Sequence, residues 1–198
     1  SVTLCKGSNS GGADTATLRV DGTITVNTDP AVSGNKVMWN DSSGVLTLEA
    51  YGNLNFQGNV DANSSPSTLN LIIKGTGSRT LVLTGTQSNS GRTAIGMDTG
   101  AYLAVNNSFG ASLGGLTIDG TWEQNYNAGS VPTATWGANS KVIIKGITGS
   151  QPGGLAQTFQ DFTWDCAGQT GNIGLGGPAM VVNGTFHLKK TGATTREV

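Results

Sequence analysis

Short runs of alternating apolar and polar residues fill this chain. Leu18 and Val20 are followed by Ile24 and Val26. The pattern returns at Val45-Leu46-Leu48, Leu54 and Phe56, Leu69-Leu71-Ile73, Leu81 and Leu83, and Leu103 and Val105. It continues at Leu116 and Ile118, Val142 and Ile144, Phe162-Trp164-Cys166, and through Val182, Phe186 and Leu188. A period of two over short runs, bounded by Gly, Asn, Asp, Ser or Pro, is the pattern of β-strands. No stretch carries helical periodicity. The chain therefore reads as all-β, with about a dozen or more short strands.

A five-residue phrase punctuates these runs: apolar, polar, Gly, small polar, apolar. It reads Val20-Asp21-Gly22-Thr23-Ile24, Ala50-Tyr51-Gly52-Asn53-Leu54, Ile118-Asp119-Gly120-Thr121-Trp122 and Val182-Asn183-Gly184-Thr185-Phe186, with weaker copies at Ile73-Lys74-Gly75-Thr76 and Ile144-Lys145-Gly146-Ile147. Successive glycines lie 30, 23, 45, 26 and 38 residues apart, and Gly96 or Gly100 falls near the midpoint of the longest interval. Repetition at this period is the signature of a solenoid, in which each coil returns the chain to the same place one layer up. The spacing predicts a parallel β-solenoid (β-helix) of about 7–8 coils, a rod of roughly 35–40 Å at ~4.8 Å per layer. Each phrase glycine would then mark a corner, where a Cβ is costly, and its apolar flanks would face the core. A β-sandwich or jelly roll is the alternative, since closely spaced turns suit it too. No linker divides residues 1–198, so one domain is expected, with loop insertions near 122–137 and 148–158 that would map to one face.

Composition narrows the function classes. Only 12% of residues are charged, the net charge is −1, and there are 31 glycines among 198 residues. Lys189-Lys190 is the only adjacent basic pair, so no positive stripe suits nucleic acid or an anionic membrane. No apolar run approaches the roughly 20 residues of a membrane span. Sparse charge with many hydroxyls and amides fits a secreted or cell-surface protein.

The stretch from Leu18 to Asn27, and copies such as Gly52-Asn-Leu-Asn-Phe-Gln-Gly, resemble the repeats of secreted bacterial β-solenoid surface proteins, in the style of filamentous-haemagglutinin-like adhesins and autotransporter passengers. Phe159-Gln-Asp-Phe-Thr-Trp-Asp-Cys resembles a phrase of the same kind of protein. The resemblance implies a right-handed solenoid, export and an adhesive or structural role. It brings no catalytic residues with it.

Candidate chemistry is sparse. His187 is the only histidine and alternates with Phe186 and Leu188, which sets it on the outward face, so neither a Ser-His-Asp system nor a His-rich metal site can be built around it. Asp161 and Asp165 share a strand face at ~13 Å, beyond the carboxylate spacing of an inverting glycosidase. Stacked coils would place Asp21, Asp119 and Asn183 in one column with Tyr51 and Lys74, a mixture unlike an active site. Thr15-Ala-Thr17, Thr23-Ile-Thr25 and Thr133-Ala-Thr135 are too irregularly placed for an ice-binding ladder, and a polysaccharide-degrading enzyme would need a carboxylate cluster. Trp122, Tyr126 and Trp136, in the 122–137 region, are the candidate contacts for a glycan or protein partner. Cys5 and Cys166 would lie some 25–30 Å apart along the axis, too far for an internal disulfide, but could bridge one subunit to the next.

The resulting expectation is a non-enzymatic, extracellular structural subunit without cofactor or metal. It would self-assemble head to tail with copies of itself through uncapped solenoid ends, into a filament or surface layer. Its rival is a monomeric adhesin or carbohydrate-binding segment of a longer surface protein.

Overall fold

A computed structural model describes residues 3–6, 15–27, 37–41, 45–57, 60–61, 68–83, 87–88, 93–108, 114–175 and 180–192. These residues form twenty strands and no helix. The first coil contains β1 (Thr3–Lys6), β2 (Thr15–Val20) and β3 (Ile24–Asn27), and the second β4 (Val37–Asp41), β5 (Val45–Ala50) and β6 (Leu54–Gln57). The third contains β7 (Val60–Asp61), β8 (Thr68–Ile73) and β9 (Gly77–Leu83), and the fourth β10 (Gln87–Ser88), β11 (Thr93–Met97) and β12 (Ala101–Val105). Four two-stranded coils follow: β13 (Gly114–Ile118) with β14 (Thr121–Gln124), β15 (Thr133–Trp136) with β16 (Lys141–Ile144), β17 (Thr158–Phe159) with β18 (Asp161–Asp165), and β19 (Val181–Val182) with β20 (Phe186–Lys190).

Strands in the same position of successive coils pair side by side. Sheet A is β1-β4-β7-β10, sheet B is β15-β13-β11-β8-β5-β2, and sheet C is β20-β18-β16-β14-β12-β9-β6-β3, with β17-β19 as a separate pair. Every ladder is parallel, as a solenoid requires and the hairpins of a sandwich or jelly roll do not allow. Sheet C counts eight coils, a rod of about 34 Å.

Parallel stacking turns the period-two pattern into columns of like residues. Ile24, Leu54, Leu81, Val105, Gln124, Ile144, Trp164 and Leu188 stand one above another along sheet C. Beside them run Leu103, Trp122, Val142, Phe162 and Phe186. Facing them from sheet B are Val20, Ala50, Ile73, Met97, Ile118 and Trp136. The inner members are fully buried, and each large side chain contributes about 1.5–3 kcal/mol of apolar burial.

Four expectations need correction. Trp122 is wholly buried in the sheet C column rather than exposed, because β14 alternates and aims Trp122 and Gln124 inward. The 122–137 region is no simple loop: it holds most of β14 and all of β15, and only 125–132 is a connection. Leu116 is surface-exposed although Ile118 is core, because the register shifts between Ile95 and Met97, where β13 carries one extra residue. Finally, Gly146 follows a sheet C strand, whereas Gly22, Gly52, Gly75, Gly120 and Gly184 precede one, so its phrase marks the opposite corner.

The phrase glycines work by clearance more often than by backbone freedom. Gly75 and Gly100 have positive φ, but Gly52 and Gly120 do not. A Cβ on Gly52 would overlap the Gly22 carbonyl oxygen, and one on Gly120 the Ala101 carbonyl oxygen of the coil before. Glycine at these two corners lets successive coils approach to ladder distance.

Candidate functional site

The corner between sheets B and C carries a continuous run of polar and charged side chains. There the hydrogen-bond ladder continues past the strand ends: Tyr51, Lys74, Asp98, Asp119 and Gly137 each donate a backbone N–H to the coil before, at 2.8–3.0 Å. This fixes Asp21, Tyr51, Lys74, Asp98 and Asp119 as a column, with Asp98 filling the interval that the phrase left open. Asn183 makes the equivalent bond to Phe159 in the last coil, at 2.9 Å.

Side chains along the column pair with their neighbours. The Arg19 guanidinium lies 4.4 Å from the centre of the Tyr51 ring and binds Asp21 at 2.8 Å. Lys74 reaches Asp98 at 3.4 Å and Glu49 at 3.6 Å. Asp119 accepts from Thr99 Oγ1, from Asn139 N at 3.0 Å and from Asn139 Nδ2 at 3.1 Å. The Thr99 bond first, then the two from Asn139, hold the Asp119 carboxyl below its ordinary pKa.

Corner length changes along the rod, and this shapes the surface. Ala50 and Leu54 are four residues apart, but their ladder partners Ile73 and Leu81 are eight apart. The third coil thus projects a four-residue lip, Thr76–Arg79, beyond the tight corners of the first two. Beneath it is a recess of about 400 Å³ lined by Asp21, Gly22, Thr23, Tyr51, Gly52, Asn53 and the lip itself. A second recess, about 380 Å³, lies two coils further on against the face of sheet B, between Ile72, Gly96, Leu116, Asp98 and Asp119.

Arg79 holds the lip. It occupies an inward slot of β9, in alternation with Leu81 and Leu83, and is only 7% exposed. Its Nε donates to Tyr51 O at 3.0 Å, Nη1 to Gly75 O at 3.3 Å and Gly77 O at 2.5 Å, and Nη2 to Thr76 O at 3.2 Å. All four acceptors are neutral carbonyls. Sequence reasoning passed over this residue, although a charged side chain in an apolar slot of the Arg79-Leu81-Leu83 alternation is a legible signal.

A second polar cluster crosses the outer face of sheet C. Glu123, 5% exposed, accepts from Tyr102 Oη, Lys145 Nζ and Asn125 Nδ2, while Asn125 also donates to Asn106 at 3.2 Å. Burial pushes the Glu123 carboxyl up, but the bonds from Lys145, Tyr102 and Asn125 outweigh it and leave the pKa below the ordinary value. Burial, with Glu123 as acceptor, raises the Tyr102 phenol. Three successive coils are tied by this clasp.

The remaining candidates are dispersed. Tyr126 is half-buried, its phenol pushed up to about 12 by desolvation. Trp136 is half-buried too, with Nε1 bonded to Gln157 at 3.1 Å and its ring 5.2 Å from that of Phe159. Neither ring stands free, and Trp122 is core. Cys166 is fully buried after β18, and its Sγ lies 3.3 Å from the Ile144 carbonyl; burial lifts its pKa to about 11. Cys5 lies in β1 opposite Asn40, six coils away, and its side chain lies outside the described residues. Joining Cys166 to another subunit would require opening the seventh coil. His187 is exposed opposite Thr163, Asp161 accepts the Thr185 N–H at 2.8 Å, and Asp165 pairs with Lys189 at 3.0 Å. Among the described residues no group of three or more His, Cys, Asp or Glu is placed to hold a metal ion.

Comparison of the chain with known protein families, curated proteins and solved structures gives no match.

Proposed function

We propose that this chain is a non-enzymatic structural unit of an extracellular or cell-surface fibre, and that it associates with copies of itself end to end. The observation that carries this reading is the eighth coil. Every residue of β20 is exposed, including Phe186 at 43% and Leu188 at 48%, and Val181 of β19 is 45% exposed. Phe186 stacks on the buried Phe162 ring at 5.8 Å and 1°, and Leu188 stands above the buried Trp164. This is the same apolar layer that every inner coil buries against its neighbour. In a solenoid each layer is stabilised by the next, and the apolar face of β20 is of the kind that a further coil or a second copy of this chain would cover.

The test is a concentration series in analytical ultracentrifugation, with electron micrographs of the same samples. The expected result is growth into rods for the wild type, abolished by joint Phe186→Lys and Leu188→Lys replacement. A wild type that stays monomeric at every concentration overturns the reading.

A second reading is favoured by the two recesses on the sheet B–sheet C corner: a glycan-binding segment of a longer surface protein. The recess beneath the lip is mostly polar and the other sets Asp98, Thr99 and Asp119 beside Ile72, Met97 and Leu116, a mixture that suits sugar hydroxyls and ring faces, and a glycan array on the full chain tests it.

A further inference from the structure

The recess beneath the Thr76–Arg79 lip is lined by a cation that touches no carboxylate of the described residues. Arg79 is buried, and its guanidinium meets four carbonyl oxygens and no carboxylate of the described residues. A buried charge is ordinarily paired, since carbonyl dipoles solvate a cation without cancelling its charge. Arg79 nevertheless lines an open recess of about 400 Å³ rather than a sealed core. The acid nearest in the lining, Asp21, is already paired with Arg19 at 2.8 Å. The lining thus holds one guanidinium, Arg79, and one carboxylate, Asp21, which is bound to Arg19 and not to Arg79.

Neutral groups of hydrogen-bonding type supply the rest of the lining: Thr23, Asn53, Thr76 and Ser78, with glycines at 22, 52 and 77. A Cβ on Gly22 would meet nothing within 4 Å, so the floor there is open. The walls are rigid. Asn53 Oδ1 accepts the Thr80 N–H at 3.0 Å, Ile24 N donates to Asn53 O at 2.8 Å, and Arg79 fixes the lip. The Tyr51 ring is covered by Arg19 and has Gly75 close to its Cδ1–Cε1 edge, so it is a wall rather than a stacking platform.

We propose that this recess binds a carboxylate-bearing sugar residue of an acidic polysaccharide. The carboxylate balances the charge of Arg79, and the ring hydroxyls bond to Thr23, Asn53 and Ser78. This inference rests on the glycan-binding reading and is independent of self-association. It assigns the contacts to the corner rather than to Tyr126 or Trp136.

Isothermal titration calorimetry on the full chain tests it, with a galacturonate oligomer as probe and the matching galactose oligomer as its neutral counterpart. The galacturonate oligomer binds, and the neutral one binds at least tenfold more weakly. Ser78→Glu places a negative charge on the exposed lip without touching the Arg79 bonds, and weakens the acidic oligomer about tenfold. Ser150→Glu, away from this corner, leaves it unchanged. Arg79→Lys keeps the charge but not the fork; where circular dichroism shows the fold intact, it weakens binding less than Ser78→Glu. Equal binding of both oligomers overturns the charge argument. Acidic-oligomer binding that Ser78→Glu does not alter overturns the recess as the site while leaving the glycan reading standing. Absence of binding by either oligomer, where a glycan array still shows other ligands, overturns the inference alone; an array empty as well overturns both.

Discussion

The first four coils and the last four close their third side by different means. In the first four, sheet A supplies a strand to each coil, and backbone ladders run on all three sides. Sheet A ends at β10 among the described residues. Thereafter, among the described residues, the third side consists of the connections 125–132, 145–157 and 166–175, tied by a short parallel bridge between Ser130 and Gly153, by isolated backbone bonds such as Thr170 N to Thr148 O, and by side-chain amides. Gln157 makes four bonds: Oε1 accepts from Ala134 N at 2.9 Å and Trp136 Nε1 at 3.1 Å, and Nε2 donates to the carbonyls of Pro132 and Gly154. Gln169 Oε1 accepts from Trp164 Nε1 at 3.0 Å while Nε2 donates to Gly171 O at 2.8 Å. Gln124 bonds Ala128 O at 2.6 Å across a turn in which Ala128 has φ 56°. Asn127 Oδ1 collects the N–H groups of Thr148, Gly149 and Ser150 at 2.9–3.2 Å. A strand ladder satisfies backbone groups whatever the side chains. An irregular edge needs a particular amide at a particular place.

The largest expected effect asks whether the two halves share one core. Phe56→Ala in the first and Trp164→Ala in the second should each cost about 3–5 kcal/mol. Urea unfolding followed by circular dichroism and by fluorescence should then give coincident transitions for both variants. A Trp164→Ala protein that loses only part of its signal in a separate early transition would show that the halves fold apart.

The braces come next. Gln157→Leu leaves the Ala134 N–H and the Trp136 indole without their acceptor, and should cost about 2–4 kcal/mol. Thr47→Val, on the outer face of β5 in the ladder-built half, should fall within about 0.5 kcal/mol of wild type. Comparable losses for the two variants in urea denaturation would dissolve the distinction between the halves.

That distinction also governs what was legible in the sequence. The ladder-built part follows directly from period-two runs such as Leu69-Leu71-Ile73 and from the recurring phrase, because parallel stacking places like residues on like. The amide-braced part is less legible. Trp122 lies in the 122–137 stretch expected as a loop insertion, yet it is core, and Gln124 beside it points inward and spends its side chain on the next turn. Alternation cannot tell a buried amide from an exposed one. The column of Asp21, Tyr51, Lys74 and Asp119 was legible from the phrase. The recess beside it was not, since it arises from a four-residue change in corner length that shows only once the register of β6 and β9 is known.

Glycine corners give a smaller and sharper test. Gly52→Ala and Gly120→Ala force a Cβ into a carbonyl oxygen of the adjoining coil, one in each half, and each should cost about 1–3 kcal/mol. Gly22→Ala meets open space at the same corner and should change stability by under about 0.5 kcal/mol. Thermal unfolding of the three variants decides it. Equal losses at Gly22 and Gly52 would mean that backbone freedom, rather than clearance between coils, is what the phrase glycine provides.

The Glu123 clasp sits where the two halves meet, joining Tyr102 of the fourth coil to Lys145 of the sixth. Its effect should be the smallest and the most specific to pH. The folded carboxyl has a pKa below the unfolded value, so the folded state holds the charged form more tightly. The stability this supplies is fully present above the unfolded glutamate pKa, about 4.3, and is lost as pH falls through the lower folded value. Tyr102 and Asn125 donate to different oxygens of Glu123, so in Glu123→Gln the single amide oxygen can accept from only one of them, and the ion pair with Lys145 is gone. The variant should therefore be less stable than wild type near neutral pH, and the gap should close as the pH falls through that window. Lys145 is partly exposed, so added salt should narrow the neutral-pH gap too. A gap that stays constant from neutral to acid pH would mean that Glu123 acts through packing, and that the junction between the ladder-built and amide-braced halves is held by shape rather than charge.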